Sequence, residues 1–378
     1  MPEEHETIES EALSPKSPRV AIIASRRIVS EFPLYLKYLL VGLADESVPV
    51  ILVCPPGCEV DFAVPPAVEI VRHPAINLPL LEHYNLRLLF NRLSAFKPEL
   101  LHCLCETNAH LVRWLARQLN INYLLNVNSI FSRFHHIPIS NTRCAAIITP
   151  AKTIADNFSG LHPKLAGRIS QINIGTFVQD SIACFANPQR LPGIVIAHPL
   201  DNHGELDNLF DAFHRLAIDN YQFMVALIGA GRAEKQLRKK LRALGLLRIV
   251  TIVPRLPGLD SALAAADIFI APRPSNSFNS LLLSAMSVGS VVAACKGGVD
   301  DLIIEEKTAF VFNPDDRLSI YNCLKRIFDT PDLARQIAEG ARQHLRRNHH
   351  VSAMVTSTLA LYRQAAQPQQ PKTESSAA

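Results

Sequence analysis

The sequence predicts an α/β protein made of two doubly wound, mostly parallel sheets. Three observations carry this expectation. Short apolar runs alternate with segments of helical spacing along most of the chain, and strand–helix alternation builds right-handed βαβ units. The length of 378 residues suits two to three domains at about 150 residues each. A polar stretch, Gln179–Pro192, divides the alternation into two halves of similar make-up.

The elements follow in order. Residues 1–18 are acidic and polar and read as a disordered tail. Arg19–Ala24 is a short apolar run of the kind a buried parallel strand has. Glu31–Ala44 places Leu36, Leu39, Leu40 and Leu43 on one helical stripe. Strands are expected at Val48–Cys54, stopped by Pro55-Pro56-Gly57, and at Val68–Val71, Leu100–Leu104, Tyr123–Val127, Ala145–Thr149 and Ile169–Ile172. Helices are expected at Tyr84–Phe96 and Asn108–Leu119. Residues 19–180 thus form one domain, 181–192 a linker, and 193–348 a second domain.

The second half repeats the pattern, with strands at Gly193–Ala197, Phe223–Ile228, Ile249–Val253, Ile268–Ala271 and Val291–Ala294. Helices are expected at Leu206–Ala217, Glu234–Leu244, Leu259–Ala266, Leu281–Val288, Arg317–Asp329 and Pro331–Arg347. The charge run Lys235, Arg238, Lys239, Lys240 and Arg242 reads as a solvated helix face. A last helix falls within residues 349–366, and 367–378 is a second polar tail.

Composition excludes several classes. The net charge of +4 and a single Trp give neither a basic face nor stacking surfaces for nucleic acid. The eight cysteines include no Cys-x-x-Cys pair, so reduced, buried thiols are expected rather than a zinc site. The adjacent histidines His135-His136 and His349-His350 lack supporting carboxylate spacing, so no metal is assigned to them. The N-terminus lacks the basic and apolar regions of a signal peptide, and no run of 18 uncharged apolar residues occurs. A cytoplasmic protein, with room for peripheral contact at the inner membrane face, is the expectation. The oligomeric state is not legible.

Motifs in the second half make the reading specific. Leu227-Ile228-Gly229-Ala230-Gly231 forms a strand–turn with Gly-x-Gly, and Val250–Leu256 supplies the next strand and a loop holding Arg255. Ala266–Pro272 ends a strand just before Arg273. Asn276, Phe278 and Asn279 precede the helical block Leu281–Gly289, which contains Ser284. Lys296-Gly297-Gly298-Val299-Asp300-Asp301 follows, then Ala309–Pro314. In order and spacing this series resembles family 4 of the glycosyltransferases, the retaining enzymes of GT-B fold. In the first half Lys97–His102, Asn122–Asn128, Ala145–Pro150 and Gln171–Val178 resemble the family's strands more loosely.

The resemblance implies two facing Rossmann-like domains with parallel sheets, an acceptor-side domain first and a donor-nucleotide domain second. The final helix is expected to cross back onto the first domain. It also implies hexose transfer from a nucleoside diphosphate sugar to a carbohydrate or lipid-linked acceptor in surface polysaccharide or glycoconjugate assembly, with no metal and no other cofactor. His102 and Asn128 become the candidate catalytic residues. His203, Gly229, Gly231, Arg255, Arg273, Asn276, Phe278, Asn279, Ser284, Lys296, Gly297 and Gly298 become the candidate donor site.

The family's anchors are nevertheless mostly replaced. Its two helix glutamates fall at Asn276 and Ser284, its phosphate-binding Arg and Lys near Pro199 and His203, and its early Gly-rich loop at Ala24-Ser25-Arg26-Arg27. Three readings stay open: a transferase whose cations come from new positions (Arg273, Lys296, His203, Arg26 or Arg27), an inactive relative that binds nucleotide or glycan beside an active enzyme, and an epimerase or phosphorylase of this fold. His102 can instead be a satisfied strand-end histidine, and Arg273 can pair with Asp267 or Asp301.

Overall fold

A computed structural model of the chain describes residues 17–60, 64–74, 79–134, 136–187, 189–254 and 263–366. Arg255, His135, most of the first tail, all of the second and the first half of the helix expected at Leu259–Ala266 lie outside these described residues.

The first sheet contains β1 (Val20–Ile23), β2 (Val50–Cys54), β3 (Glu69–Arg72), β4 (Leu100–Cys103), β5 (Asn122–Asn126), β6 (Cys144–Thr149) and β7 (Ile169–Gln171). Its order is β3-β2-β1-β4-β5-β6-β7, with every pairing parallel. The second sheet contains β8 (Gly193–Ala197), β9 (Met224–Ile228), β10 (Val250–Val253), β11 (Ile268–Ala271), β12 (Val291–Ala294) and β13 (Phe310–Val311). It runs β10-β9-β8-β11-β12-β13 and is also parallel throughout. The central strands are buried along their whole length, which is why they read as unbroken apolar runs rather than alternating ones.

Two local expectations change. The helix expected at Glu31–Ala44 is two helices, Arg26–Glu31 and Pro33–Asp45. Phe32 leaves helical geometry at φ −125° and ψ 42° because Pro33 disfavours the α region in the residue before it, then starts the second helix itself. Ser25 caps the first, its hydroxyl accepting from Ile28 N at 3.3 Å. The stretch Ala24–Arg27 is therefore a capped helix start. A further helix, Lys152–Leu161, went unread because only Ile154 and Phe158 are buried along it and its first residue follows Ala151, which has no capping side chain.

The polar stretch between the halves is docked rather than loose. Gln179, Ala183 and Cys184 donate backbone N–H groups to Ser287, Val288 and Gly289 carbonyls. Buried Asp267 accepts from Phe185 N and Gly193 N, both at 2.7 Å, and pairs with Arg190 at 2.9 Å. The last helix, Val351–Ala366, crosses back and packs on Pro33–Asp45 and on β4, β5 and β6. Asn122 Nδ2 holds its end through the Ala365 carbonyl at 2.9 Å.

Candidate functional site

Both sheets have a point where consecutive connections leave in opposite directions, and ligands in open α/β sheets bind just outside the carboxyl ends of the strands there. In the second sheet that point lies between β8 and β11. A cavity of about 550 Å³ opens there, lined by His198, Asn202, Gly204 and Glu205 after β8 and by Arg273 and Pro274 after β11. In the first sheet the point lies between β1 and β4. A second cavity, of about 420 Å³, opens at their ends, with Arg26, Arg27 and Trp114 in its wall.

Arg273 is the cation of the first cavity. Its Nε donates to the Glu205 carbonyl at 2.9 Å and its Nη1 to Asp315 Oδ1 at 2.6 Å. The expected partners were Asp267 and Asp301. Asp267 is instead committed to the docked segment, and Asp301 accepts from Thr153 N of the first domain at 3.1 Å. Asp315 is an exposed loop residue, so this pair is cheap to exchange for an anionic ligand. His198 Nε2 and Glu205 Oε2 lie 2.8 Å apart in the lining of the same cavity. The sequence reading missed this pair, although His198 stands five residues before His203 in the loop that it had singled out. His203 is exposed at the start of a 3-10 turn and does not line the cavity.

Several expected donor residues do other work. Gly229 and Gly231 were expected to admit a ligand. A Cβ on either would overlap the backbone at His198 or at Leu200–Asp201, so they admit the loop after β8 instead. Gly297 and Gly298 take φ of 112° and 68°, and Gly298 lies flush against Ser275, whose carbonyl receives Val299 N at 2.7 Å. Lys296 pairs with Glu305 at 3.1 Å in a half-exposed loop and does not line the cavity. Asn279 caps the helix Ser280–Ser287 by accepting from Leu282 N at 3.0 Å. Ser284 is buried within that helix.

Between the cavities the two domains touch directly. Ser129 and Ser277 form an antiparallel bridge, with Ile130 N donating to the Asn276 carbonyl at 2.8 Å and Phe278 N to the Asn128 carbonyl at 3.0 Å. Asn128 Nδ2 is spent on the Leu104 carbonyl at 2.8 Å, so this candidate catalytic residue positions the bridge. Arg27 spans the contact: Nη2 donates to Ser277 Oγ at 2.6 Å, and Nη1 reaches Ser129 Oγ and Glu106 Oε1, each at 3.2 Å. Its Nε pairs with Glu31 at 2.9 Å. Ser280 Oγ donates to the Glu31 carbonyl across the same boundary. Buried Glu106 had no motif to mark it; only its place just after β4, at the switch point, could have.

His102 requires a correction. It is fully buried in β4, with Nδ1 2.6 Å from Tyr362 Oη and Nε2 2.8 Å from Asn126 Oδ1. Asn126 Nδ2 in turn donates to Tyr35 Oη at 2.8 Å. Burial lowers its pKa to about 4, so the ring is neutral and ties the crossing helix to the sheet. Both nitrogens are used, and it faces neither cavity. His349 likewise binds the Ile174 carbonyl at 2.8 Å. Among the described residues no group of three or more His, Cys, Asp or Glu is placed to hold a metal ion, and no helix is long and apolar enough to cross a membrane.

Two facing doubly wound domains, each with a cavity at its switch point and joined by a returning C-terminal helix, define a protein of the GT-B architecture. Residues 185–344, across the second domain, match the family model for glycosyl transferases group 1. Over 123 residues the chain is 32% identical to the sulfoquinovosyl transferase SQD2 of Arabidopsis thaliana, a match spanning 32% of this chain and 24% of that protein. The match therefore spans about a quarter of that relative's length. Whole-chain likeness is structural: a glycosyltransferase from Rickettsia africae superposes with a TM-score of 0.75 at 14% identity, covering 93% of this chain and 99% of that one. Sucrose-phosphate synthase from Thermosynechococcus elongatus gives 0.72 at 17% identity, covering 92% and 98%. The Anabaena protein HepE in complex with UDP and glucose gives 0.74 at 14%, covering 91% and 98%.

Proposed function

We propose that this protein transfers a hexose from a nucleoside diphosphate sugar to a carbohydrate or lipid-linked acceptor, with the donor diphosphate in the cavity between β8 and β11. The observation that carries the reading is Arg273 on the wall of a cavity at the switch point of a group 1 glycosyltransferase domain. A leaving diphosphate needs positive charge aimed at it in a site shielded from water. Arg273 supplies that charge once it exchanges Asp315 for phosphate, and Arg27 brings a second guanidinium to the domain boundary. These cations take the part a metal plays elsewhere, so transfer is metal-independent. Retention of configuration, and a place in surface glycoconjugate assembly, rest on the family resemblance.

A second reading is nucleotide binding without transfer. It is favoured by the Arg27–Ser129–Ser277 contact that closes the domains against each other, and by neutral Asn276 and Ser284. Calorimetric titration with UDP and GDP in the absence of metal tests both. Micromolar binding that Arg273→Ala weakens by about tenfold, or 1.4 kcal/mol, supports the site. Turnover of a nucleotide-sugar panel then separates transfer from binding. Absence of binding by either nucleotide rejects the proposal.

A further inference from the structure

The cavity between β8 and β11 holds one guanidinium, Arg273, and an imidazole–carboxylate pair, His198 and Glu205, that the diphosphate reading leaves unused. Each phosphate of a nucleotide sugar carries a negative charge. Arg273 alone meets them badly, because Glu205 and Asp315 flank it with two carboxylates. His198 is the group in the lining that can add positive charge.

The hydrogen positions around His198 follow from its neighbours. Its ring is 15% exposed, with Nε2 2.8 Å from Glu205 Oε2. Asn202 Oδ1 accepts from Gly204 N at 3.1 Å, so the amide nitrogen is the end that reaches Glu205 Oε1, at 3.4 Å. Glu205 thus accepts on both oxygens, as an ionised carboxylate does. The proton of a neutral His198 must then sit on Nε2 and point at Glu205, and Nδ1 keeps a lone pair. Nδ1 has no partner among the described residues. A lone pair repels a phosphate oxygen, whereas a protonated Nδ1 donates to it with charge assistance. Glu205 shares the loop of His198, as do exposed Asp201 and His203. Arg273 and Asp315 enter from the segments after β11 and β13. Gly229, which lies against the His198 carbonyl, brings no charge, and Arg232 beyond it donates to the Asp201 carbonyl at 3.3 Å.

Resting on the donor-site reading above, we infer that His198 is the second phosphate ligand of this cavity, that it binds only as the imidazolium, and that a nucleotide sugar therefore enters together with about one proton. Glu205 is a positioning residue: it holds the Nε2 proton and leaves Nδ1 as the place the incoming proton takes. The protonated ring is the binding form, so affinity is full below the pH range in which imidazole titrates and is lost as pH rises through it.

Calorimetric titration of the full chain with UDP-glucose and GDP-glucose, at about pH 7.5 in two buffers of different ionisation heat, counts the protons drawn from the buffer on binding. Neither phosphate of a nucleotide sugar titrates near neutral pH, so the proton counted belongs to the protein. The expected result is uptake of about half to one proton per bound ligand, with affinity about tenfold weaker at about pH 8 than at about pH 6. His198→Gln should abolish the uptake and weaken binding about tenfold at the lower pH, with little effect at the higher. Glu205→Gln should abolish the uptake while affinity is kept, because its amide donates to Nε2 and a neutral ring then presents Nδ1–H. A merely structural loss would not give that combination. Binding without proton uptake, uptake that persists in His198→Gln, or uptake unchanged in Glu205→Gln overturns the inference and leaves the donor site standing. Failure of both nucleotide sugars to bind a chain shown to be folded by circular dichroism overturns the inference and the donor site together.

Discussion

Removing Arg27 should loosen the two domains, and the cost can be worked from its contacts. Arg27→Ala deletes bonds to Ser277 at 2.6 Å and to Ser129 at 3.2 Å, and the pair with Glu106 at 3.2 Å. Glu106 is left with the Asn128 N–H at 3.2 Å and the Ser129 hydroxyl at 3.3 Å. Its side chain is 5% exposed, while that of Arg27 is 27% exposed. Breaking a fully buried pair from one side costs about 3–5 kcal/mol. Water reaches Arg27, so about 2–3 kcal/mol is expected, most of it from the stranded carboxylate. Glu106→Gln removes that charge, so in the Arg27→Ala background it should restore about 1–2 kcal/mol. Urea denaturation of wild type, both single variants and the double variant measures the coupling, followed by Trp114 fluorescence for the first domain and by far-ultraviolet circular dichroism for the whole chain. Strictly additive losses, or an Arg27→Ala cost below about 0.5 kcal/mol, would refute the reasoning and reduce Arg27 to a solvated surface charge.

Gly298→Ala should destabilise the second domain by about 2–4 kcal/mol, since the new Cβ would meet the Ser275 carbonyl at a φ of 68°; Gly245→Ala, also at positive φ but facing open space, should cost about 1 kcal/mol, and comparison of their melting temperatures checks this. Stability should also fall as pH drops from 6.5 towards 4. His102 and His349 have pKa values lowered to about 4 by burial, so the unfolded chain takes up protons first, at a cost of about 3 kcal/mol for each histidine. Melting curves across that window should show the loss, and His102→Gln should flatten it. All eight cysteines are buried, and burial pushes the Cys144, Cys184 and Cys323 thiols up to about 12. A thiol reagent such as DTNB should therefore react slowly with the native chain and rapidly with eight groups after unfolding.

The sequence by itself determined the architecture. Strands buried on both faces must be apolar along their whole length, as Val20–Ile23 and Ile268–Ala271 are, and helices on a parallel sheet must carry an apolar stripe, so alternation was readable from composition and spacing alone. It also put Arg273 just past the end of a strand, because a residue's position along a strand fixes which end it occupies; the cavity at that end came from the structure. What each side chain faces was settled only by tertiary structure. His102 looked like a strand-end histidine poised for chemistry, yet Tyr362, 260 residues further on, closes over it. Gly229 and Gly231 looked like ligand glycines, yet the chain itself fills the space before them. Arg27 meets Ser277 across 250 residues, and no local pattern encodes that meeting. Periodicity reports burial one element at a time, whereas a site between two domains depends on how distant loops converge.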